Sequence, residues 1–180
     1  MEQVILVDEQ DRERGAADKL EAHAGGELHR AFSIFVFNSD RQLLLQRRAR
    51  SKYHSGSLWS NTCCGHPRPG ETTQAAARRR LREEMNFNCE LRTGFEFRYR
   101  VEFENKLIEH EYDHVVFGEF DGVPAPDESE VEAWRWTGLD ELRHAMRDRP
   151  EEYTYWLKAA MNTEHWRRVE ETLLGEVVTF

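Results

Sequence analysis

The chain has 180 residues, 39% hydrophobic and 33% charged, with 10 Phe, 5 Tyr and 5 Trp. That composition suits one folded domain spanning residues 1–180 and excludes a disordered chain. The formal net charge of −9, from 25 basic against 34 acidic side chains, excludes a general nucleic-acid binder and a basic membrane-surface protein.

VILVD (4–8) reads as a short strand. HRAFSIFVF (29–37) is rich in aromatic and β-branched side chains and predicts a buried strand. Asn38-Ser39-Asp40 turns the chain into a second strand, RQLLLQRR (41–48), and SLWSNTCC (57–64) reads as a third, ending at Gly65. From Glu71 the sequence ETTQAAARRRLREEMN predicts a helix, with Leu81 and Met85 at helical spacing and Glu71, Thr72 and Thr73 suited to its first turn. FEFRYRVEFE (95–104) alternates as a strand does. Asn105-Lys106 turns it into a further strand at 107–120. Residues 121–130 read as a loop, 132–137 as a short strand, and Leu139–Arg149 and Glu151–Leu174 as helices. This order predicts an α/β fold with a mixed sheet flanked by helices, not a doubly wound one.

The charge is unevenly distributed. Residues 41–82 hold ten basic side chains and one acid, Glu71, a local +9 that leaves −18 elsewhere. Such an island fits a site for a small anion or a set of solvated arginines. Three cysteines, two of them adjacent at 63 and 64, do not make a disulfide framework, so reduced thiols and a cytoplasmic setting are expected. The N-terminus has no signal-peptide pattern, and no stretch approaches the ~20 apolar residues of a membrane span.

Glu109-His110-Glu111-Tyr112-Asp113-His114 lies on a predicted strand, where alternate side chains share a face. Glu109, Glu111 and Asp113 therefore face one way and His110, Tyr112 and His114 the other. Carboxylates so close repel unless a cation lies between them, so the segment fits a divalent-metal site or an exposed polar edge strand. His23, His29 and His66 are further candidate ligands. Three histidines with two carboxylates would suit a Mn- or Mg-like ion or zinc.

Residues Gly65–Phe87 resemble the Nudix box, with Gly65, Glu71, Arg79, Leu81, Glu83, Glu84 and Phe87 in register. Arg80 stands where the box has a glutamate and Asn86 where it has a glycine. An arginine at 80 argues against ordinary Nudix hydrolysis and offers a bidentate donor to phosphate, while Glu84, at i+4 on the same helical face, stays available to magnesium. The run SLWSNTCCGHPRPGE resembles the Trp-x-Asn-x-x-Cys-Gly-His-Pro signature of type I isopentenyl-diphosphate isomerases. The likeness extends over most of the chain, through Lys19, EAH (21–23), LHRAFS (28–33), RRARSK (47–52), FRYR (97–100), Glu109 with Glu111, and Tyr155-Trp156.

That resemblance implies a Nudix-like mixed β-sheet sandwiched between helices, with an N-terminal strand elaboration. It implies a flavin-independent, metal-dependent isomerase interconverting isopentenyl and dimethylallyl diphosphate. A Nudix diphosphohydrolase is the alternative. The implied catalytic residues are Cys64, Glu111 and Tyr99. The implied metal set is His23, His29, His66, Glu109 and Glu111 for a Mn2+, Mg2+ or Zn2+ ion. Glu84 and the Cys64 carbonyl would hold a second Mg2+ arriving with the diphosphate. Lys19, Arg48, Lys52 and Arg80 fall on diphosphate contacts, and Trp156 on a cation-stabilising aromatic. The chemistry needs these types: protonating an unactivated alkene gives a tertiary carbocation, which requires an acid, a base and shielding from water. The expected partner is a small-molecule diphosphate, with no nucleic acid and no membrane insertion, acting on a monomer or weak dimer. Cys63, opposite in direction to Cys64, is spare. His54, His144 and His165 are expected at the surface, and His110 and His114 in structural roles.

Overall fold

The computed structural model describes residues 2–175. Met1 and 176–180, part of the expected 1–180 domain, lie outside the described residues. The elements run β1 (Gln3–Val7), β2 (Glu13–Asp18), α1 (Lys19–Gly25), β3 (His29–Phe37), β4 (Leu43–Arg48), β5 (Trp59–Ser60), β6 (Cys63–Gly65), α2 (Thr73–Met85), β7 (Leu91–Glu102), β8 (Ile108–Glu119), β9 (Val131–Thr137), α3 (Leu139–Asp148), a 3-10 turn (Pro150–Glu152), α4 (Tyr155–Met161) and α5 (Glu164–Gly175).

β3 is the spine. It is buried on both faces, so its sequence is a near-continuous apolar run without alternation. β8 lies parallel to it along its whole length, from His29 opposite Glu111 to Phe37 opposite Glu119. β7 pairs antiparallel with β8. β6 pairs antiparallel with β3 through Ser33–Cys64 and Ile34–Cys63. β4 carries β9 and β5, and β1 joins β2 to β3. One face packs under α2, where Phe32, Ile34, Val36, Leu44 and Cys63 meet Ala77, Leu81 and Met85. The other packs under α3, α4 and α5, where Phe35, Leu43 and Val115 meet Leu142, Leu157 and Trp166. This is the expected mixed sheet between helices, with a strand elaboration at the N-terminus. Among the described residues no helix is long and apolar enough to cross a membrane.

Four local departures have physical causes. ERGAAD lacks strand-forming side chains, yet it forms β2 because β1 offers it a ladder. α1 has only seven residues, too short to leave a periodic trace; Asp18 caps it by accepting from the backbone N–H of Leu20 and Glu21, and Gly26 ends it at φ +68°. The single strand expected at 57–64 is two, because Asn61 and Thr62 use their side chains as substitutes for ladder partners. Thr62 Oγ1 accepts from Val36 N at 2.9 Å and donates to Leu44 O at 2.7 Å; Asn61 Nδ2 donates to the carbonyls of Ile34 and Cys63, both at 3.0 Å. The long helix expected at 151–174 is broken twice. Thr154 N donates to Trp59 O at 2.9 Å, and Thr163 Oγ1 accepts from Trp166 N at 3.0 Å to start α5.

α2 begins and ends as its residues require. Thr72 is the N-cap, its Oγ1 accepting from Ala75 N at 3.2 Å. Asn86 is the C-cap at φ +56°, the left-handed conformation that glycine takes most readily and asparagine next. Asn86 in the place of the box's glycine therefore preserves the turn.

Candidate active site

The ladder registers put the site on one face. Residues opposite each other across a ladder share a face. His29 lies opposite Glu111, Ser33 opposite Cys64, and Tyr99 opposite Glu111. So His29, Ser33, Cys64, Tyr99, Glu109, Glu111 and Asp113 all point to the side of the sheet away from α2. Cys64 arrives from one flank of β3 and Glu111 from the other. Cys63, one residue earlier, points into the α2 core and is fully buried. A cavity of about 690 Å³ opens over this face and is lined by Lys19, Arg48, Lys52, Cys64, His66, Arg80, Glu84, Tyr99, Glu109, Glu111 and Trp156. His23 and His29 lie buried beside it.

Those histidines form a cluster with the carboxylates. One ligand atom each from His23, His29, His66 and Glu111 lie within 4.8 Å of one another, and His23, His54 and Glu109 form a second such group. Lys19 O and Glu27 O can only accept, so the Nδ1 atoms of His23 (2.6 Å) and His29 (2.8 Å) carry hydrogens. Their Nε2 atoms therefore present lone pairs. Both are buried with no hydrogen-bond partner among the described residues. His29 Nε2 lies 3.5 Å and His66 Nε2 3.0 Å from Glu111 Oε1. Buried lone pairs facing one another, with backbone carbonyls holding the rings from behind, fit a divalent metal with N and O ligands.

Without an ion the same crowding perturbs every group. Burial pushes His23 and His66 down to about 4 and, with Arg48 nearby, His54 down to about 3. Burial and the neighbouring Glu111 raise Glu109 to about 8. Glu111 falls well below the usual carboxylate range despite its burial, because the His29 and His66 rings beside it favour its charged form. The Tyr99 hydroxyl ties the pair together, donating to Glu111 Oε2 at 2.7 Å and Glu109 Oε2 at 3.0 Å. Burial, and then Asp113, raise the Cys64 thiol, so it rests protonated.

Cationic side chains line the same cavity. Arg48 lies 5.0 Å over the Trp156 ring, whose Nε1 donates to Ser60 Oγ at 2.9 Å. Lys19 pairs with Glu2 at 3.1 Å. Lys52 pairs with Glu130; Arg80 pairs with Glu84, with Glu83 at 2.7 Å and with Glu130 at 3.5 Å. Arg80 belongs to α2, on the opposite side of the sheet, and passes beside Gly65 to reach the cavity. A Cβ on Gly65 would stand 3.2 Å from Arg80 Cγ and 3.0 Å from the Phe32 ring, so glycine makes the passage. Glu71 and Arg79 lock the preceding loop to α2 through two hydrogen bonds of 2.8 Å.

The fold thus gathers every expected site residue in or beside one cavity. His54 is a correction. Expected at the surface, it is buried, with Nε2 3.1 Å from Glu109 Oε1, because the segment after β4 folds back over the cluster. Its neighbour Lys52 was the available signal. His144 and His165 are exposed. His110 bonds Gly26 O, and His114 bridges Asp11 and Glu96, so both are structural. Ser33, Asn61 and Asp113 stand in runs the sequence singles out, but nothing local gives them a role, and Glu130 carries no local pattern at all.

A NUDIX domain model matches residues 27–157. The chain is 57% identical over 161 residues to isopentenyl-diphosphate Delta-isomerase 2 of Aromatoleum aromaticum, covering 89% of this chain and 85% of that one. It is 58% identical over 155 residues to the isopentenyl-diphosphate Delta-isomerase of Burkholderia multivorans, covering 86% and 88%, and 50% identical over 167 residues to that of Pectobacterium atrosepticum, covering 92% and 93%. Among solved structures, a Deinococcus radiodurans protein aligns with TM-score 0.69 at 22% identity, over 82% of this chain and 90% of that one. A Burkholderia pseudomallei MutT NUDIX hydrolase aligns at 0.55 and 20%, over 74% and 98%. The structural likenesses carry the fold.

Proposed function

The chain belongs to the isopentenyl-diphosphate Delta-isomerase family, whose NUDIX domain it carries, and we propose that Cys64 and Glu111 perform its proton transfers. The enzyme interconverts isopentenyl and dimethylallyl diphosphate. The observation that carries the assignment is the meeting of a protonated thiol and a Tyr99-bridged carboxylate pair in one cavity, brought by strands on opposite flanks of β3.

The diphosphate end of the substrate suits the wall of Lys19, Arg48, Lys52 and Arg80. Its hydrocarbon end then lies toward Cys64 and Glu111. One of the pair gives a proton to the terminal alkene carbon, and the other removes one from the carbon that becomes the new alkene position. In the reverse direction the roles exchange. Tyr99 holds Glu111 in place through its 2.7 Å hydrogen bond. The Trp156 ring offers its face to the cationic intermediate, and its Nε1 bond to Ser60 fixes that face.

His23, His29, His66, Glu109 and Glu111 would hold a divalent ion, with His54 as a further candidate ligand; Mn2+, Mg2+ and Zn2+ all suit this donor set. Such an ion supplies positive charge that lowers the proton affinity of Glu111. Glu84 and the Cys64 carbonyl are assigned to the Mg2+ that accompanies the diphosphate. β1 and β2 join the main sheet, which supports one domain, and the free thiols of Cys63, Cys64 and Cys89 support a reducing, cytoplasmic setting.

The test is incubation with isopentenyl diphosphate and Mg2+ or Mn2+ in deuterated water. Deuterium-labelled dimethylallyl diphosphate is expected. Release of inorganic phosphate without an allylic product would identify a hydrolase instead.

A further inference from the structure

Asp113 is a buried carboxyl that the chemistry above does not use. It sits on β8, on the same face as Glu111, with no solvent exposure. Its Oδ2 accepts one hydrogen bond, from Ser33 Oγ at 2.7 Å, and its Oδ1 has no hydrogen-bond partner among the described residues. A carboxyl so placed is costly to bury, and an apolar side chain of similar size would fold more easily.

Its effect reaches the thiol through Ser33. With the Ser33 hydroxyl hydrogen committed to Asp113, what Ser33 turns toward Cys64 is a lone pair, 3.7 Å from Sγ. Asn61 does the same from a second direction. Its Nδ2 is committed to the carbonyls of Ile34 and Cys63, which fixes the amide and leaves Oδ1 3.1 Å from Sγ. The thiol thus meets two acceptors whose own donor hydrogens are spoken for. Had the Ser33 hydroxyl been free to rotate, it could donate to sulfur and compete for that arrangement.

We propose that Asp113 and Ser33 are positioning residues for the isomerisation: Asp113 orients the Ser33 hydroxyl, and Ser33, with Asn61, holds the Cys64 thiol in the rotamer that faces the cavity. This rests on the role assigned to Cys64. Asp113 and Ser33 act in series, so losing either or both removes the same restraint.

The experiment is a double-mutant cycle on isopentenyl diphosphate, with Asp113→Leu, Ser33→Ala and the combination assayed beside wild type. Each single variant is expected to lower kcat about tenfold, with KM within twofold, and the combination no further. Asp113→Leu is expected to melt at or above the wild-type temperature, which separates the effect from loss of fold. Asp113→Asn keeps an acceptor for Ser33 and is expected to retain kcat within twofold. Wild-type kcat in Asp113→Leu, or a roughly hundredfold loss in the combination, would overturn the proposal. So would an Asp113→Asn variant as slow as Asp113→Leu, which would show that Asp113 itself carries a proton. If Ser33→Ala fails to fold, the Asp113→Leu and Asp113→Asn pair decides alone. Absence of turnover in the wild type would overturn the proposed function and this proposal with it, whereas an active wild type with an equally active Asp113→Leu variant would overturn the positioning alone.

Discussion

Replacing each of the adjacent cysteines by alanine should separate stability from chemistry. Cys63 is fully buried in the core beneath α2. Losing its sulfur removes about one methylene's worth of burial, ~0.8 kcal/mol, and leaves a small cavity at roughly 24 cal/mol per Å3 of residual volume. Together these come to about 1–1.5 kcal/mol, a fall in Tm of roughly 3–5 °C for a chain of this size. The site is untouched, so kcat should stay within about twofold of wild type. Cys64→Ala should behave in the opposite way. Its neighbours keep other partners: Asn61 Oδ1 still accepts from Ser60 Oγ at 3.0 Å, and Ser33 still donates to Asp113. Stability should therefore move by less than about 1 kcal/mol. Activity should fall by about 100-fold or more, the scale of a lost proton-transfer group. The assays are thermal denaturation and the rate of conversion of isopentenyl to dimethylallyl diphosphate. Equal loss of activity in the two variants, or an active Cys64→Ala enzyme, would refute the assignment from strand alternation.

Tyr99→Phe removes the donor shared by two buried carboxylates; a hydrogen bond to a charged group is worth about 1.5–3 kcal/mol, so kcat/KM should fall roughly 10- to 100-fold. Arg80→Ala should raise KM about tenfold with a smaller change in kcat, measured by initial rates; an unchanged KM would remove Arg80 from the diphosphate wall. Metal-stripped protein should be most stable near pH 6.5, as followed by denaturant titration. His23, His54 and His66 have folded pKa values below their unfolded ones, so the unfolded chain binds the extra protons and stability rises with pH up to about 6.5. Glu109 and Asp113 are raised, by burial first, and oppose this trend, but are outnumbered until the histidines finish titrating. Above about pH 6.5 they dominate, joined by His29, which Glu111 raises against its burial, and stability falls toward pH 8. Added divalent ion should flatten that fall; a monotonic rise through pH 8 in stripped protein would contradict it.

Much of this protein is local and could be read along the chain. The burial of β3 follows from its near-continuous apolar run, and the inward turn of Glu109, Glu111 and Asp113 follows from strand alternation. The same alternation separates Cys63 from Cys64. The caps of α2 follow from Thr72 and Asn86. Each of these is decided by neighbours a few residues away, where backbone geometry and side-chain type act directly.

The rest depends on which strands pair. Ser33 and Asp113 are 80 residues apart, and His66 and Glu111 are 45 apart. No periodicity connects them; only the parallel β3–β8 ladder and the antiparallel β3–β6 ladder bring them to one face. His54 lay in a segment with no regular period, so its burial over Glu109 could come only from the way that segment folds back. Propensity and pattern determine which way a side chain points within its own element. Long-range pairing, driven by burial of the two apolar faces of β3, decides what it points at.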